Sequence, residues 1–364
     1  DILDIDGLNK RERYDWASEV IAQGFQKQYD AKTLFSDQDR KLYYYNNGYY
    51  KESGESKIYE YTRQALEDSY TNRLANRVVD KVRADTFVEQ KEFFDVEPGR
   101  LCVKNGVVDL ENQEFDDHSS DDIHFQRVDV EYDPDAEYDE LERFLSDMFK
   151  DDDQVRLIQE IFGYCLYRKY FIKKAVIFRG DADNGKSTVL NILTKLLGQE
   201  NISGVKLQDL GERFRKQRLV HKLANIVGDL PNKELRKMGD FKALTGGDIL
   251  EYEEKGGDSY PFVNYAKLIY SANELPRVRN PTPAFFSRWI IINFPYTYVQ
   301  PSEYNEYTED YIERNDIKKA KNSPVEELFE SQSMRGVLNF ALDGLRRLLE
   351  QGEFSYTRSR QENM

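Results

Sequence analysis

The stretch GDADNGKST at positions 180–188 constrains this chain more than any other part of the sequence. A short apolar run, Lys174 to Arg179, precedes it with the length and β-branched content of a buried strand. From Ser187 to Leu197 the apolar side chains recur at helical spacing, so we expect a helix there. Strand, glycine turn and helix N-terminus form an anion cradle, because backbone N–H groups and the helix dipole favour negative charge. The segment therefore predicts a nucleoside triphosphate site, the alternative being a glycine turn without chemistry.

The positions of this phosphate-binding loop, called the P-loop below, have different expected roles. Gly180 and Gly185 allow the backbone to point N–H groups at phosphate oxygens. Lys186 would reach the β- and γ-phosphates, and the Ser187 hydroxyl would hold Mg²⁺. ATP and Mg²⁺ are thus the expected cofactors. The residues expected to contact the nucleotide are Gly180, Asp183, Asn184, Gly185, Lys186, Ser187 and Thr188.

The formal net charge of −15 is concentrated in one segment of the chain. Residues 109–153 carry 19 acidic side chains against three basic ones, a net charge of −16. Residues 174–298, which include the P-loop, hold 19 lysines and arginines against 14 acidic residues. The acidic total therefore does not exclude a polyanionic partner that binds a local basic patch.

The patterns divide the chain into three regions. Residues 1–150 predict a small N-terminal α/β module, 151–300 an α/β nucleotide-binding core, and 301–364 a C-terminal helical segment. Because the chain begins at Asp1 and not at Met, we expect it to be part of a longer polypeptide. No apolar run approaches the roughly 20 residues that span a bilayer, so we expect no membrane partner.

Within the first region, an aromatic segment, LYYYNNGYY at 42–50, predicts two strands around an Asn-Gly turn. Its tyrosines could stack on nucleic-acid bases, or they could simply cover a core. The following segment, Ser56 to Lys81, predicts a helix. A second Asn-Gly at 105–106 predicts another hairpin.

Three polar residues after the P-loop stand beside apolar runs that predict strands. Asp229 ends one run and could serve the Mg²⁺ or the attacking water, the alternative being a turn acid before Leu230-Pro231. Asn273 ends the next and could hydrogen-bond the γ-phosphate or position the attacking water, although Asn is also a common turn former. Arg288 leads into a third and could act as an arginine finger on the nucleotide of an adjacent subunit.

Two basic features lie between these motifs. Residues 249–270 predict a hairpin whose tip carries Lys255 beside paired glycines, which suits either a phosphate backbone or a solvated turn. A cluster of basic residues precedes Asp229 and could line a pore, form a subunit contact or remain a solvated face: Arg213, Arg215, Lys216, Arg218 and Lys222.

The ordered set GDADNGKST, NIVGD, FKALTGGD, YSANELP and SRWIIINFP resembles the superfamily 3 helicases. It is most similar to the plasmid, phage and archaeal-virus primase-helicases, which are related to the poxvirus primase-helicase. The forms NGKST at 184–188 and KALTGGD at 242–248 carry most of this resemblance. It covers roughly residues 40 to 350 and is strongest from 155 to 298.

The resemblance implies an AAA+-type core that assembles as a homo-oligomeric ring, usually a hexamer, around single-stranded DNA. Lys186 and Ser187 would bind ATP and Mg²⁺, Asp229 would be the Walker B acid and Asn273 the sensor. Arg288 would reach the next subunit, and Lys255 would drag the DNA backbone. The resemblance also implies a plasmid- or virus-encoded protein in a prokaryotic cytoplasm, with a primase domain either fused or separate.

One position departs from the family pattern. Many relatives carry two adjacent acidic residues at Walker B, whereas here Gly228 precedes Asp229. Glu234 and Asp240 are therefore further candidates for activating water. The alternatives to a helicase motor are a ring ATPase that remodels or packages nucleic acid without unwinding it, a nucleotide or metabolite kinase, and a nucleotide-gated assembly factor.

Overall fold

The computed structural model describes residues 7–34, 41–89, 93–94, 96–231, 234–235, 238–253, 259–279, 282–320 and 331–355. The chain forms two compact units. The first comprises Asp1–Val96 and His118–Phe125, and the second comprises Glu97–Asp117 and Gln126–Met364. Among the described residues, no helix combines the length and the apolar character that crossing a membrane requires.

In its described residues, the first unit packs three long helices with a four-stranded sheet. The helices are Lys10–Gln28, Gly54–Leu66 and Asn72–Asp85, and the strands, in spatial order, are Tyr49–Lys51, Leu42–Asn46, Ala31–Leu34 and Phe87–Val88. The predicted aromatic hairpin is confirmed: Asn47 and Gly48 both have positive φ, as its two-residue turn requires. Tyr43, Tyr44 and Tyr50 are buried, so these rings cover a core and are not free to stack on bases.

The second unit is built on a five-stranded parallel sheet, which confirms the predicted α/β class. Numbered along the chain, its strands lie in the spatial order 5-1-4-3-2. In chain order they are Ala175–Arg179 (the P-loop strand), Ile202–Ser203, Ala224–Val227 (the Asp229 strand), Lys267–Ala272 (the Asn273 strand) and Trp289–Asn293 (the Arg288 strand).

Both faces of this sheet are covered, as all-parallel sheets require. Alternate residues of the P-loop strand enter two different clusters: Val176 and Phe178 join one, and Ala175 and Ile177 the other. Long helices cover the face of the sheet that carries the first cluster, and short helices cover the face that carries the second. The α-helices of this unit are Asp139–Met148, Asp152–Leu166, Lys186–Leu197, Gly239–Leu244, Pro283–Phe286, Pro301–Tyr304, Glu309–Arg314 and Ser331–Gln351.

The described part of the unit also contains three small sheets. Arg100–Val103, Gly106–Asp109 and Phe115–Asp116 form an antiparallel sheet that contains the second predicted hairpin. Ile249–Glu253 and Ser259–Val263 form the third predicted hairpin. Thr297–Val299 pairs in parallel with Ile317–Lys319. The 3-10 helices of the unit are Gln199–Asn201, Leu207–Asp209 and Lys216–Leu219.

Two predicted helical segments differ from the structure. The helix predicted from Ser56 to Lys81 is broken at Glu67, whose φ of +45° ends the first helix. The Thr71 side chain then caps a new helix by accepting from the Leu74 backbone N–H at 3.3 Å. The helical segment expected after 301 holds for Ser331–Gln351, but Ile317–Lys319 is a strand.

A lysine is buried at the amino end of the Asn273 strand. The Lys267 ammonium donates to the carbonyl oxygens of Tyr167 at 2.6 Å and Tyr265 at 2.8 Å. It lies 4.4 Å from the ring centre of Tyr164 and 5.1 Å from that of Tyr170, a cation–π arrangement. Burial lowers the pKa of Lys267 to about 7. The folded state therefore favours the neutral amine more than the unfolded chain does.

We expect Lys267→Met to flatten the pH dependence of stability between pH 7 and 9. Because the folded pKa of about 7 lies below the unfolded value of 10.5, the unfolded chain binds more protons in this window, so stability rises with pH. Removing the group should lower that slope by at most about 1.4 kcal/mol per pH unit. Urea unfolding at three pH values measures it, with the exposed Lys169→Met as control. Equal slopes for the wild type and Lys267→Met would contradict the prediction.

Candidate nucleotide site

The P-loop connects the P-loop strand to helix Lys186–Leu197, as predicted. Gly185 precedes this helix with φ +87°, a left-handed conformation that favours glycine. At Gly180 the constraint is space, because a Cβ there would lie 1.9 Å from Nδ2 of Asn184. Glycine is thus favoured at the two positions for different reasons. Gly185 turns the chain, and Gly180 leaves room for the buried Asn184 side chain.

Lys186 is buried inside this loop. Its ammonium donates to the carbonyl oxygens of Gly180 at 2.6 Å and Asp181 at 2.5 Å, and to Oδ1 of Asn184 at 2.8 Å. Burial lowers the pKa of Lys186, while the carboxylates of Asp181, Asp229 and Asp183 oppose that shift. Phosphate oxygens could replace the three loop oxygens, since both sets are hydrogen-bond acceptors for the same ammonium.

Asp229 and Asn273 lie at the same edge of the sheet as the P-loop. Ala272 is paired with Arg179, and Val227 with Tyr270, so Asp229 stands level with the end of the Asn273 strand. The Leu230 N–H donates to the Ser271 carbonyl at 2.8 Å, which holds this segment at the edge. The Asn273 strand lies between the other two, which puts the Asp229 strand about 10 Å from the P-loop strand. The edge therefore gathers Lys186, Asp229 and Asn273.

The oxygen atoms at this edge suit a magnesium ion. Ser187 and Asp229 are both exposed, and Mg²⁺ prefers hard oxygen ligands and usually keeps several waters. A hydroxyl and one carboxylate, together with substrate phosphates, make up such a donor set. The residues present therefore fit the predicted ion.

Arg288 lies at the opposite edge. Its carbonyl accepts from the Ala175 N–H at 2.7 Å, at the amino end of the P-loop strand. The five-residue strands separate it from the P-loop edge by about 15 Å. Within one chain, then, Arg288 is not brought together with Lys186, Asp229 and Asn273.

The Arg288 side chain is held by a residue that sequence reasoning missed. Its Nε donates to Oγ1 of Thr245 at 3.0 Å, and a terminal nitrogen donates to the Ala284 carbonyl at 2.6 Å. Burial lowers the pKa of Arg288, while Asp248 opposes the shift. Thr245 is fully buried and donates to the Phe241 carbonyl at 2.8 Å. The only sequence signal for Thr245 was its place inside KALTGGD.

The hairpin expected to carry Lys255 is present, but Lys255 itself lies outside the described residues. Its strands, Ile249–Glu253 and Ser259–Val263, pair in antiparallel register. The basic cluster before Asp229 is largely ion-paired. Three nitrogen–oxygen distances define these pairs: 2.6 Å for Arg213–Glu253, 2.8 Å for Lys216–Asp240 and 3.4 Å for Arg215–Glu212.

The two further candidates for activating water differ in their surroundings. Asp240 lies at the start of helix Gly239–Leu244, and its carboxylate forms an ion pair with Lys216. Glu234 is exposed and precedes Leu235, whose N–H donates to the Arg277 carbonyl at 2.8 Å. The assignment among Asp229, Glu234 and Asp240 stays a prediction.

Two family models match separate parts of the chain. Residues 22–150 match the family described as D5 N terminal like. Residues 178–288, from the end of the P-loop strand to Arg288, match a family of unknown function, DUF5906. The second match thus contains every motif residue assigned above to the nucleotide site.

Two curated viral proteins are similar to this chain. Putative helicase 121R of Invertebrate iridescent virus 3 is 25% identical over 252 residues, which is 61% of this chain and 25% of that protein. Putative helicase 184R of Invertebrate iridescent virus 6 is 28% identical over 172 residues, 43% of this chain and 18% of that protein. The chain therefore spans a quarter or less of the length of these relatives.

The fold is shared with a solved structure, the A form of the apo NrS-1 C-terminal region. The TM-score is 0.52 at 12% identity, over 92% of this chain and 74% of that one. A second apo structure of the NrS-1 C-terminal region, residues 305–718, gives a TM-score of 0.50 at 13% identity. The chain is therefore similar to the D5-type family over residues 22–150, to two viral proteins named putative helicases, and in fold to the NrS-1 C-terminal region.

Proposed function

We propose that this chain is the motor of an ATP-dependent DNA helicase of the superfamily 3 type. The observation that carries the proposal is the convergence of Lys186, Asp229 and Asn273 at one edge of an all-parallel sheet. Ligands of such sheets bind at the carboxyl ends of the strands. The helicase names of the two viral relatives support the same conclusion.

In this mechanism each residue has a role that its position allows. Lys186 would exchange the three loop oxygens for oxygens of the β- and γ-phosphates. Ser187 and Asp229 would hold Mg²⁺, which would supply positive charge against the charge that develops on the phosphates. Asn273 orients the γ-phosphate or the attacking water. Positioning and charge stabilisation of this kind account for most of the catalysis of phosphoryl transfer.

The position of Arg288 supports an assembly of several copies. An arginine about 15 Å from the P-loop edge does not reach the γ-phosphate of a nucleotide bound to the P-loop of its own chain. We place it at the nucleotide of a neighbouring copy in an AAA+-type ring, where it would neutralise transition-state charge. The hairpin with Lys255 would then contact single-stranded DNA through sequence-tolerant backbone contacts, whose affinity falls with salt. We place this motor in a plasmid- or virus-encoded replication protein.

Strand displacement on forked DNA tests the proposal. The wild-type chain should release phosphate from ATP, release it faster with single-stranded DNA, and separate the strands of a fork. Lys186→Ala should abolish all three activities while the protein remains folded by circular dichroism. If DNA stimulates phosphate release but no strands separate, the result would contradict the helicase proposal. It would favour a ring ATPase that remodels or packages nucleic acid. ATP binding without any phosphate release would leave a nucleotide-gated assembly factor.

A further inference from the structure

A large cleft opens beside the P-loop, away from Asp229 and Asn273. Its volume is about 1510 Å³, and three P-loop residues, Asp183, Gly185 and Thr188, form part of its wall. Met148 and Tyr298 lie on the wall at the same place. A Cβ on Gly185 would lie 2.0 Å from Cε of Met148 and 3.9 Å from Cε2 of Tyr298. These two side chains therefore stand directly against the turn that would hold phosphate.

The strand order decides which end of a triphosphate faces this cleft. The Asn273 and Asp229 strands lie on one side of the P-loop strand, and the Arg288 strand lies on the other. In the proposed mechanism the γ-phosphate points to the side of Asp229, where hydrolysis would take place. The phosphate chain would then run back across the P-loop towards the Arg288 strand, and Tyr298 follows the end of that strand.

The lining of the cleft suits an uncharged aromatic group. Its charged residues nearly balance: acidic Glu140, Glu142, Asp147, Asp152, Asp183 and Asp343 against basic Arg143, Arg156, Lys318, Lys319 and Arg347. Such a lining does not attract phosphate. Apolar surface comes from Phe144 and Tyr298, which are half-buried, and from the small exposed part of Met148. The Gln300 amide can both donate and accept. Binding pockets of this kind combine apolar walls with a few polar groups that set orientation.

Tyr298 is fixed in this position. Its N–H donates to the Asp183 carbonyl at 2.7 Å, which ties the segment after the Arg288 strand to the P-loop. Its hydroxyl donates to the Asp147 carbonyl at 3.4 Å, at the end of helix Asp139–Met148. Burial raises the pKa of Tyr298 to about 12, so the ring is neutral at physiological pH. A ring held at both ends offers a flat surface at little entropic cost.

We propose that this cleft binds the nucleobase and ribose of the triphosphate, with Met148 and Tyr298 as the walls that contact the base. The inference rests on the proposed function, because it takes its ligand from the P-loop. Thioether and phenol side chains both pack well on a purine face. Thr188, next to the P-loop serine, lines the same cleft.

Comparison of ATP with inorganic tripolyphosphate tests the base site, because tripolyphosphate has the phosphates without the nucleoside. ATP and tripolyphosphate are each titrated calorimetrically in the presence of Mg²⁺. Tyr298→Ala should weaken ATP binding about 10-fold or more, because the loss of one base–aromatic contact has an effect of this size. Binding of tripolyphosphate should change less than 2-fold. Tyr311→Ala, which removes an exposed tyrosine of helix Glu309–Arg314, is the control and should keep the wild-type affinity for both compounds.

The outcomes separate this inference from the proposed function. If Tyr298→Ala weakens the binding of ATP and of tripolyphosphate equally, or weakens the binding of neither, the proposed base site is wrong while the P-loop site stands. If the wild type binds neither compound, both proposals fail. If Tyr298→Ala weakens ATP alone but the wild type never separates strands, the base site stands and the helicase function falls.

Discussion

Arg288→Ala should lower ATP turnover about 10³-fold or more while ATP affinity stays within a few-fold of the wild type. An arginine finger stabilises charge that develops only in the transition state, so its loss affects turnover and not ground-state binding. Thr245 and Ala284 hold the guanidinium at the edge opposite its own P-loop, where it could reach a neighbouring copy. Steady-state phosphate release and nucleotide titration measure the two quantities separately.

A mixture of two inactive variants shows whether Arg288 acts on its own chain. Lys186→Ala should fail to hold the triphosphate while it keeps Arg288. In mixed assemblies an intact P-loop from Arg288→Ala meets an intact Arg288 from Lys186→Ala, so part of the activity should return. The exposed Arg314→Ala, paired with Asp310, is the control and should keep full turnover. Normal turnover by Arg288→Ala, with no recovery in the mixture, would remove the finger assignment.

Arg347→Gln should destabilise the second unit by about 3 kcal/mol. Arg347 lies on helix Ser331–Gln351, and its Nε donates at 2.8 Å to Oε1 of Glu160, which is 0% exposed. The backbone N–H of Ser355 donates to the same carboxylate at 2.9 Å. Removing the arginine leaves a buried carboxylate without its cation, which costs about 3–5 kcal/mol in fully buried pairs. The 25% exposure of the Arg347 side chain puts our value at the lower end.

The neighbouring arginine gives a matched control for that experiment. Arg346 pairs with Asp343 at 3.0 Å, but both side chains are partly exposed, at 48% and 34%. Arg346→Gln should therefore cost less than about 1 kcal/mol. Urea unfolding of the two variants at neutral pH gives the comparison. Equal losses of stability in the two variants would mean that the Arg347–Glu160 pair contributes no more to the free energy of unfolding than the exposed pair does.

Sequence reasoning was most successful where the pattern is local. The P-loop strand and its helix are adjacent along the chain, so apolar periodicity and the glycine turn predicted both. Asn-Gly turns predicted the hairpins for the same reason. The shared edge of Asp229 and Asn273 also follows from a simple rule, because the carboxyl ends of parallel strands meet at one edge.

Features that depend on strand order or on distant packing were not accessible in this way. Met148 and Tyr298 are 150 residues apart and become neighbours only because the last strand of the sheet lies beside the first. Thr245 supports Arg288 through a single side-chain bond across 43 positions. Lys267 stands where a strand begins, a place where a lysine is usually exposed, and only the folded chain shows its burial.

The separation of Arg288 from the P-loop has a consequence for how activity depends on concentration. If each nucleotide is completed by a neighbour, one chain alone has no complete site, and an open row of copies has one fewer site than copies. Because such head-to-tail contacts are made by two different surfaces, the row can grow or close on itself. Closure adds the missing site, so turnover per chain should rise with protein concentration and level off once rings predominate.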